Sequence, residues 1–161
     1  MQIAVVSDTH GQIEQTREAI RVLESLEIDA IIHCGDIGST AVIPLFEKWP
    51  THFVFGNVDR HDEAQLQAEI EECGQTCHGR FGELNLAGQK IAFIHSDDRT
   101  RFLETMNSGE WDLVCYGHTH RAESHTVGET VILNPGALHR ATPHSFALVE
   151  LPSQKISSVT L

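Results

Sequence analysis

The sequence predicts an α/β fold in which two mixed β-sheets pack together and carry helices on their outer faces. Short apolar runs alternate with amphipathic helical stretches in the first half of the chain, and strand-like runs joined by tight turns fill the second. In addition, every segment rich in metal-capable side chains comes directly after a predicted strand.

The elements follow in order. Ile3 to Val6 is an apolar run of buried-strand type. Glu14 to Leu26, with Ile13, Ala19, Ile20, Leu23 and Leu26 on one face, has helical spacing. Ala30 to Ile32 reads as a second strand and Thr40 to Trp49 as a helix kinked near Pro44. His52 to Phe55 is a third strand, and Glu63 to Cys73 a helix that Gly74 ends. Phe81 to Leu86 and Lys90 to Ile94 flank Ala87-Gly88-Gln89 as a β-hairpin. Thr100 to Met106 is a helix and Leu113 to Tyr116 a strand. Arg121 to Val127, Thr130 to Leu133, Ser145 to Leu151 and Ile156 to Leu161 complete the strands.

Residues 1–161 fit a single domain, with no internal repeat, low-complexity tract or linker to divide them. A hydrophobic content of 40% describes a globular chain. No signal-peptide pattern precedes the first strand and no apolar stretch reaches membrane-spanning length, so a cytoplasmic protein with no membrane partner is expected. Four cysteines, Cys34, Cys73, Cys77 and Cys115, are too few and too irregular for a disulfide scaffold. Cys34 and Cys115 read as buried hydrophobes, and Cys73 and Cys77 as free thiols on a helix or loop. The net charge of −12 repels a phosphate backbone, so nonspecific binding of nucleic acid is not expected. Bound cations would make a pocket locally positive within that acidic exterior, which suits a small phosphorylated substrate.

Five segments carry the chemistry: Asp8-Thr9-His10, Gly35-Asp36, Gly56-Asn57-Val58-Asp59, His95, and Gly117-His118-Thr119-His120. Loops at the carboxyl ends of strands are where open α/β sheets bind ligands, and parallel strands would bring these loops to one edge. Asp and neutral His are good ligands for Mn, Fe, Zn or Ni. Asp-x-His and His-x-His each put two ligands on alternate loop positions, so both can reach one cluster. Two ions about 3.5 Å apart need a bridging carboxylate, and Asp36 is the natural candidate. Singly, each motif has an ordinary use: a turn, a helix start, a satisfied histidine. Their conjunction, ordered and always after a strand, does not arise from those uses.

This ordered set resembles the calcineurin-like metallophosphoesterases, whose pattern runs Asp-x-His, Gly-Asp, Gly-Asn, a later His and Gly-His-x-His. Within that superfamily the chain is most similar to the small YfcE/MJ0936-type phosphodiesterases, to which the scaffold protein Vps29 is also related. Asn134-Pro135-Gly136 matches a further segment of the small members. The resemblance implies a four-layer α/β/β/α sandwich. It also implies two divalent transition-metal ions, Mn first and Ni, Fe or Zn as alternatives. The first would be held by Asp8, His10, Asp36 and His120, and the second by Asp36, Asn57, His95 and His118. Asp36, Asn57 and His118 would act in catalysis through those metals, which deliver a bridging hydroxide in line to phosphorus.

Two departures bear on mechanism. Where many relatives carry a histidine after Gly-Asn to assist the leaving group, this chain has Val58. Where relatives often carry Gly-His after the later His, it has Ser96-Asp97. Beyond the ligand set, His33 reads as packing or as support for a ligand. His61, His78, His125, His139 and His144 read as surface or loop residues, and Arg140 as a phosphate contact or a surface ion pair. The expected function is a metal-dependent phosphodiesterase acting on a small ester. A Vps29-like interaction scaffold and a nucleotide-specific phosphohydrolase are the alternatives, and a homo-oligomer is left open.

Overall fold

The computed structural model describes residues 1–161. Eleven strands form two sheets. The first sheet contains β1 (Gln2–Val6), β2 (Ala30–His33), β3 (Thr51–Phe53), β4 (Thr76–Cys77), β10 (Ser145–Glu150) and β11 (Lys155–Thr160), in the order β11-β10-β1-β2-β3-β4. The second contains β5 (Gly82–Leu86), β6 (Gln89–Ile94), β7 (Leu113–Tyr116), β8 (Ala122–Val127) and β9 (Thr130–Pro135), in the order β5-β6-β7-β9-β8. Both sheets are mixed: β1, β2, β3 and β4 run parallel, as do β6, β7 and β9, and the outer partners are antiparallel. The α-helices are α1 (Ile13–Glu24), α2 (Glu63–Glu72) and α3 (Arg99–Asn107).

Side-chain alternation along the strands assigns the layers. Ala4 and Val6 of β1 join Ala19 and Leu23 of α1 and Leu66 and Ile70 of α2 in one core. Ile3 and Val5, on the opposite face, meet Ile91, Phe93, Leu113 and Cys115 between the sheets. Ala92, Ile94 and Val114 face outward from the second sheet beneath Phe102 and Met106 of α3. The molecule is therefore the expected four-layer α/β/β/α sandwich.

Local differences have physical causes. Thr40–Phe46 is a 3-10 segment, not an α-helix. Pro44 has no N–H and cannot continue an α-helical ladder, and the segment closes instead in a tighter turn with Glu47 N–H donating to Pro44 O at 3.2 Å. The hairpin turn is two residues, Ala87 and Gly88, both with positive φ, and Gln89 already pairs with Leu86. Cys77 lies on the short edge strand β4, while Cys73 closes α2. His78 is half-buried and hydrogen-bonded to His52 at 3.1 Å, so it is not a free surface residue. All four cysteines are unpaired, and Cys34 and Cys115 are buried. No helix is long and apolar enough to cross a membrane.

Candidate metal centre

The parallel strands bring the five segments together. The loop after β1 lies alongside the loop after β2: Asp8 N–H donates to Gly35 O at 3.0 Å, His10 N–H to Asp36 O at 2.9 Å and Gly11 N–H to Ile37 O at 2.7 Å. From the second sheet, His118 N–H donates to Asp8 Oδ2 at 3.1 Å and ties the loop after β7 to the loop after β1.

Six of the seven expected ligands gather into two groups, Asp8 with His10 and His120, and Asp36 with His95 and His118. In the first, His120 Nε2 lies 3.1 Å from Asp8 Oδ1 and 3.4 Å from His10 Nε2. In the second, His95 Nε2 lies 3.2 Å from Asp36 Oδ1. The other oxygen of Asp36 is 3.6 Å from His10 Nε2, so one carboxylate addresses both groups. Asn57 follows β3 beside them, and the next residue, Val58, donates its N–H to Asp36 Oδ1 at 2.9 Å.

Four buried side-chain atoms have no hydrogen-bond partner: Ser7 Oγ, Asp8 Oδ1, Asn57 Oδ1 and His95 Nε2. Three of them belong to expected ligands. Buried polar atoms are normally satisfied, so lone pairs left over at one place fit cations held there. Two histidines are also oriented for this. His95 Nδ1 donates to Cys34 O at 2.8 Å and His120 Nδ1 to Arg140 O at 3.3 Å, which leaves each Nε2 free to coordinate.

The backbone is strained at the same place. Asp8, His10, Asp36, His118 and His120 all have φ between 46° and 74°, a region non-glycine residues rarely occupy. Gly35 turns the chain with φ +94°. Gly56 and Gly117 serve by close approach instead. A Cβ at Gly56 would lie 2.1 Å from Asp36 Oδ1, and one at Gly117 2.0 Å from Ser7 Oγ.

Electrostatics agree with a cation site. Burial pushes Asp8 and Asp36 toward the neutral form, but His10 and His95 beside Asp8, and His95 beside Asp36, hold both carboxyls below the usual carboxylate value. Burial likewise disfavours a charged His95, yet Asp36 and Asp8 outweigh it and raise its pKa.

The structure also assigns supporting residues that sequence reasoning left open. Asp59 is buried and accepts N–H bonds from Ile37, Gly38 and Gly56 at 3.1, 2.9 and 2.8 Å, clamping the Asp36 loop to the Asn57 loop. Burial raises its pKa against those bonds. Asn134 donates to Gly117 O and Thr119 Oγ1 and accepts from Gly136 N–H, which fixes the His118–His120 loop. His33 is fully buried. Its Nε2 bonds Thr9 Oγ1 at 3.1 Å and its Nδ1 accepts from Gly35 N–H, so it braces the loop before Asp36. Asp97 forms ion pairs with Arg60 and Arg80. The exposed Arg140 makes no ion pair; its carbonyl orients His120. His139 lies near the centre with its ring 5.7 Å from that of His10, while His61 and His125 are exposed.

With this geometry in place, the relationships of the chain are clear. Residues 1–154 match the calcineurin-like phosphoesterase superfamily domain. The phosphodiesterase MJ0936 of Methanocaldococcus jannaschii is 28% identical over 139 residues, covering 84% of this chain and 83% of that protein. The probable metallophosphoesterase YsnB of Bacillus subtilis is 30% identical over 142 residues, covering 86% and 75%. Among solved structures, an archaeal phosphodiesterase superposes with a TM-score of 0.91 at 24% identity over the full length of both chains. Vps29 of Entamoeba histolytica superposes with a TM-score of 0.70 at 19% identity, covering 100% and 99%, and shares the fold. The chain belongs to the calcineurin-like phosphoesterase superfamily and, with it, to the metal-dependent phosphoesterases.

Proposed function

We propose that this protein is a binuclear phosphodiesterase that hydrolyses a small phosphate diester. Asp8, His10, Asp36 and His120 would hold one ion, and Asp36, Asn57, His95 and His118 the other. The observation that carries this reading is the Asp36 carboxylate, with one oxygen 3.2 Å from His95 and the other 3.6 Å from His10. The mixed nitrogen and oxygen donor set suits Mn, with Ni, Fe or Zn as alternatives. Such ions, when bound, lower the pKa of water and neutralise charge on the phosphoryl oxygens.

The protein's own contribution is positioning. The loops hold six of these side chains in two convergent groups before any substrate arrives, and Asp59, Asn134 and His33 keep those loops in place. Val58 stands where a proton donor to the leaving group would sit, so turnover favours esters whose alcohols are acidic. A small diester fits the acidic exterior better than a polynucleotide does. The four free thiols suit a cytoplasmic protein, and residues 1–161 suit a single catalytic domain.

The test compares bis(4-nitrophenyl) phosphate with 4-nitrophenyl phosphate, using chelated and Mn-reloaded protein and Asp36→Asn as the control. The proposal predicts metal-dependent diester turnover that the substitution abolishes. Equal turnover with and without metal, or an active Asp36→Asn protein, overturns it.

A further inference from the structure

A cleft of about 400 Å³ opens beside the centre, between α3 with the loop that leads into it and the end of β7 with the loop that follows. His118 forms part of its wall, so the cleft joins the proposed metal site directly. Phe102, Leu103, Met106 and Tyr116 give it an apolar side, and the rings of Phe102 and Tyr116 lie 4.6 Å apart. The largest surface depression, about 560 Å³ and lined by Glu83, Asn85, Lys90 and Glu110, contains no candidate ligand.

Three large apolar side chains in the molecule are exposed: Met1, Val58 at 41% and Leu103 at 38%. Val58 directly follows Asn57, and Leu103 lines the cleft. Apolar surface with a few polar groups is the usual lining of a small-molecule site. The nearest acid, Asp97, is matched by Arg60 and Arg80, so its charge does not repel an anionic ester.

We infer that this cleft binds an aromatic ring carried on one arm of the phosphodiester, seated against Phe102 and Leu103 while the phosphate lies at the metal-ligand cluster. The inference rests on the phosphodiesterase reading and adds a substrate class to it. Aromatic side chains and an aromatic ligand would stack or meet edge to face, and a methyl ester would leave the same wall wet.

Binding, measured apart from turnover, tests it. Phenylphosphonate and methylphosphonate, neither of which can be hydrolysed at the P–C bond, are titrated calorimetrically into Mn-loaded protein. The wild type is expected to bind the phenyl compound about tenfold more tightly, and that ratio falls toward one in Leu103→Asp. Leu103→Trp, which fills the cleft instead of charging it, gives the same loss of ratio and guards against a folding artefact. Equal binding of the two phosphonates by the wild type overturns the cleft assignment and leaves the phosphodiesterase reading standing. An undiminished ratio in both variants does the same, whereas failure of both phosphonates to bind removes both.

Discussion

The Nε2 atom of His95 lies 3.2 Å from Oδ1 of Asp36, with both groups buried. Two buried donor groups held this close, beside His118 in the same cluster, fit a cation between them. Binding to the folded state alone stabilises that state by mass action. Chelated protein is therefore expected to gain several degrees in unfolding midpoint when Mn is restored, as read by differential scanning calorimetry. No gain at saturating metal would argue against the site.

Asn57→Ala separates the two ions. Asn57 belongs only to the second group, and its buried Oδ1 has no partner in the protein. Removing it should weaken one of two Mn affinities, seen as a split titration by electron paramagnetic resonance, and lower kcat by on the order of a hundredfold. The chelated variant should unfold no more easily than wild type, because an unsatisfied group has been removed. Two unchanged affinities would contradict the assignment.

Gly56→Ala tests close approach. Its Cβ would fall 2.1 Å from Asp36 Oδ1 and 2.7 Å from His95 Cδ2, so these ligands must move. Activity should be lost and stability should fall with it, because the Cβ also lies 2.6 Å from the backbone N of Asp36 and misplacement by an ångström is costly to a positioned site. Wild-type kcat/KM in this variant would mean that the pocket tolerates a different arrangement.

Asp59→Ala probes the clamp. The buried N–H groups of Ile37 and Gly56, and that of the more exposed Gly38, would lose their acceptor, at a cost of roughly 3 kcal/mol. Urea unfolding of the chelated protein measures this, and a loss below about 0.5 kcal/mol would show that the carboxylate is not holding the loops.

His33 gives a pH signature. Burial lowers its pKa from the ordinary 6.5 to about 4, and its Nδ1 must stay unprotonated to accept from Gly35. Between these values the unfolded chain binds a proton that the folded chain does not. Its contribution is thus complete above pH 6.5 and is lost as pH falls toward 4, by about 3 kcal/mol in all. In His33→Gln the slope of unfolding free energy over that window should flatten by about one proton. An unchanged slope would assign the acid sensitivity elsewhere.

Much of this was legible in the sequence because period-two and period-3.6 patterns record which face is buried. Ile3 and Val5 against Ala4 and Val6 already encode the two sides of the first sheet. The candidate ligands stood out because metal-capable residues follow β1, β2, β3, β6 and β7. What could not be read depends on contacts made across the fold. Asp59 looks like an ordinary turn acid until the loops carrying Ile37 and Gly38 are brought to it. Asn134 acts on a loop 17 residues away, through Gly117 O. The edge strand β4 is two residues long, too short to leave a pattern, and Pro44 sits in a run whose helical spacing conceals 3-10 geometry. The aromatic cleft beside His118 was invisible because Phe102 and Tyr116 meet only when α3 packs on β7.

The central claim is that one carboxylate, Asp36, serves two metal ions. The most direct measurement is the metal content of Mn-reloaded, desalted protein by plasma mass spectrometry, for the wild type and Asp36→Asn side by side. The account predicts two ions per chain in the wild type and loss from both sites in the variant. Two ions retained by Asp36→Asn, or none bound by the wild type, would contradict it.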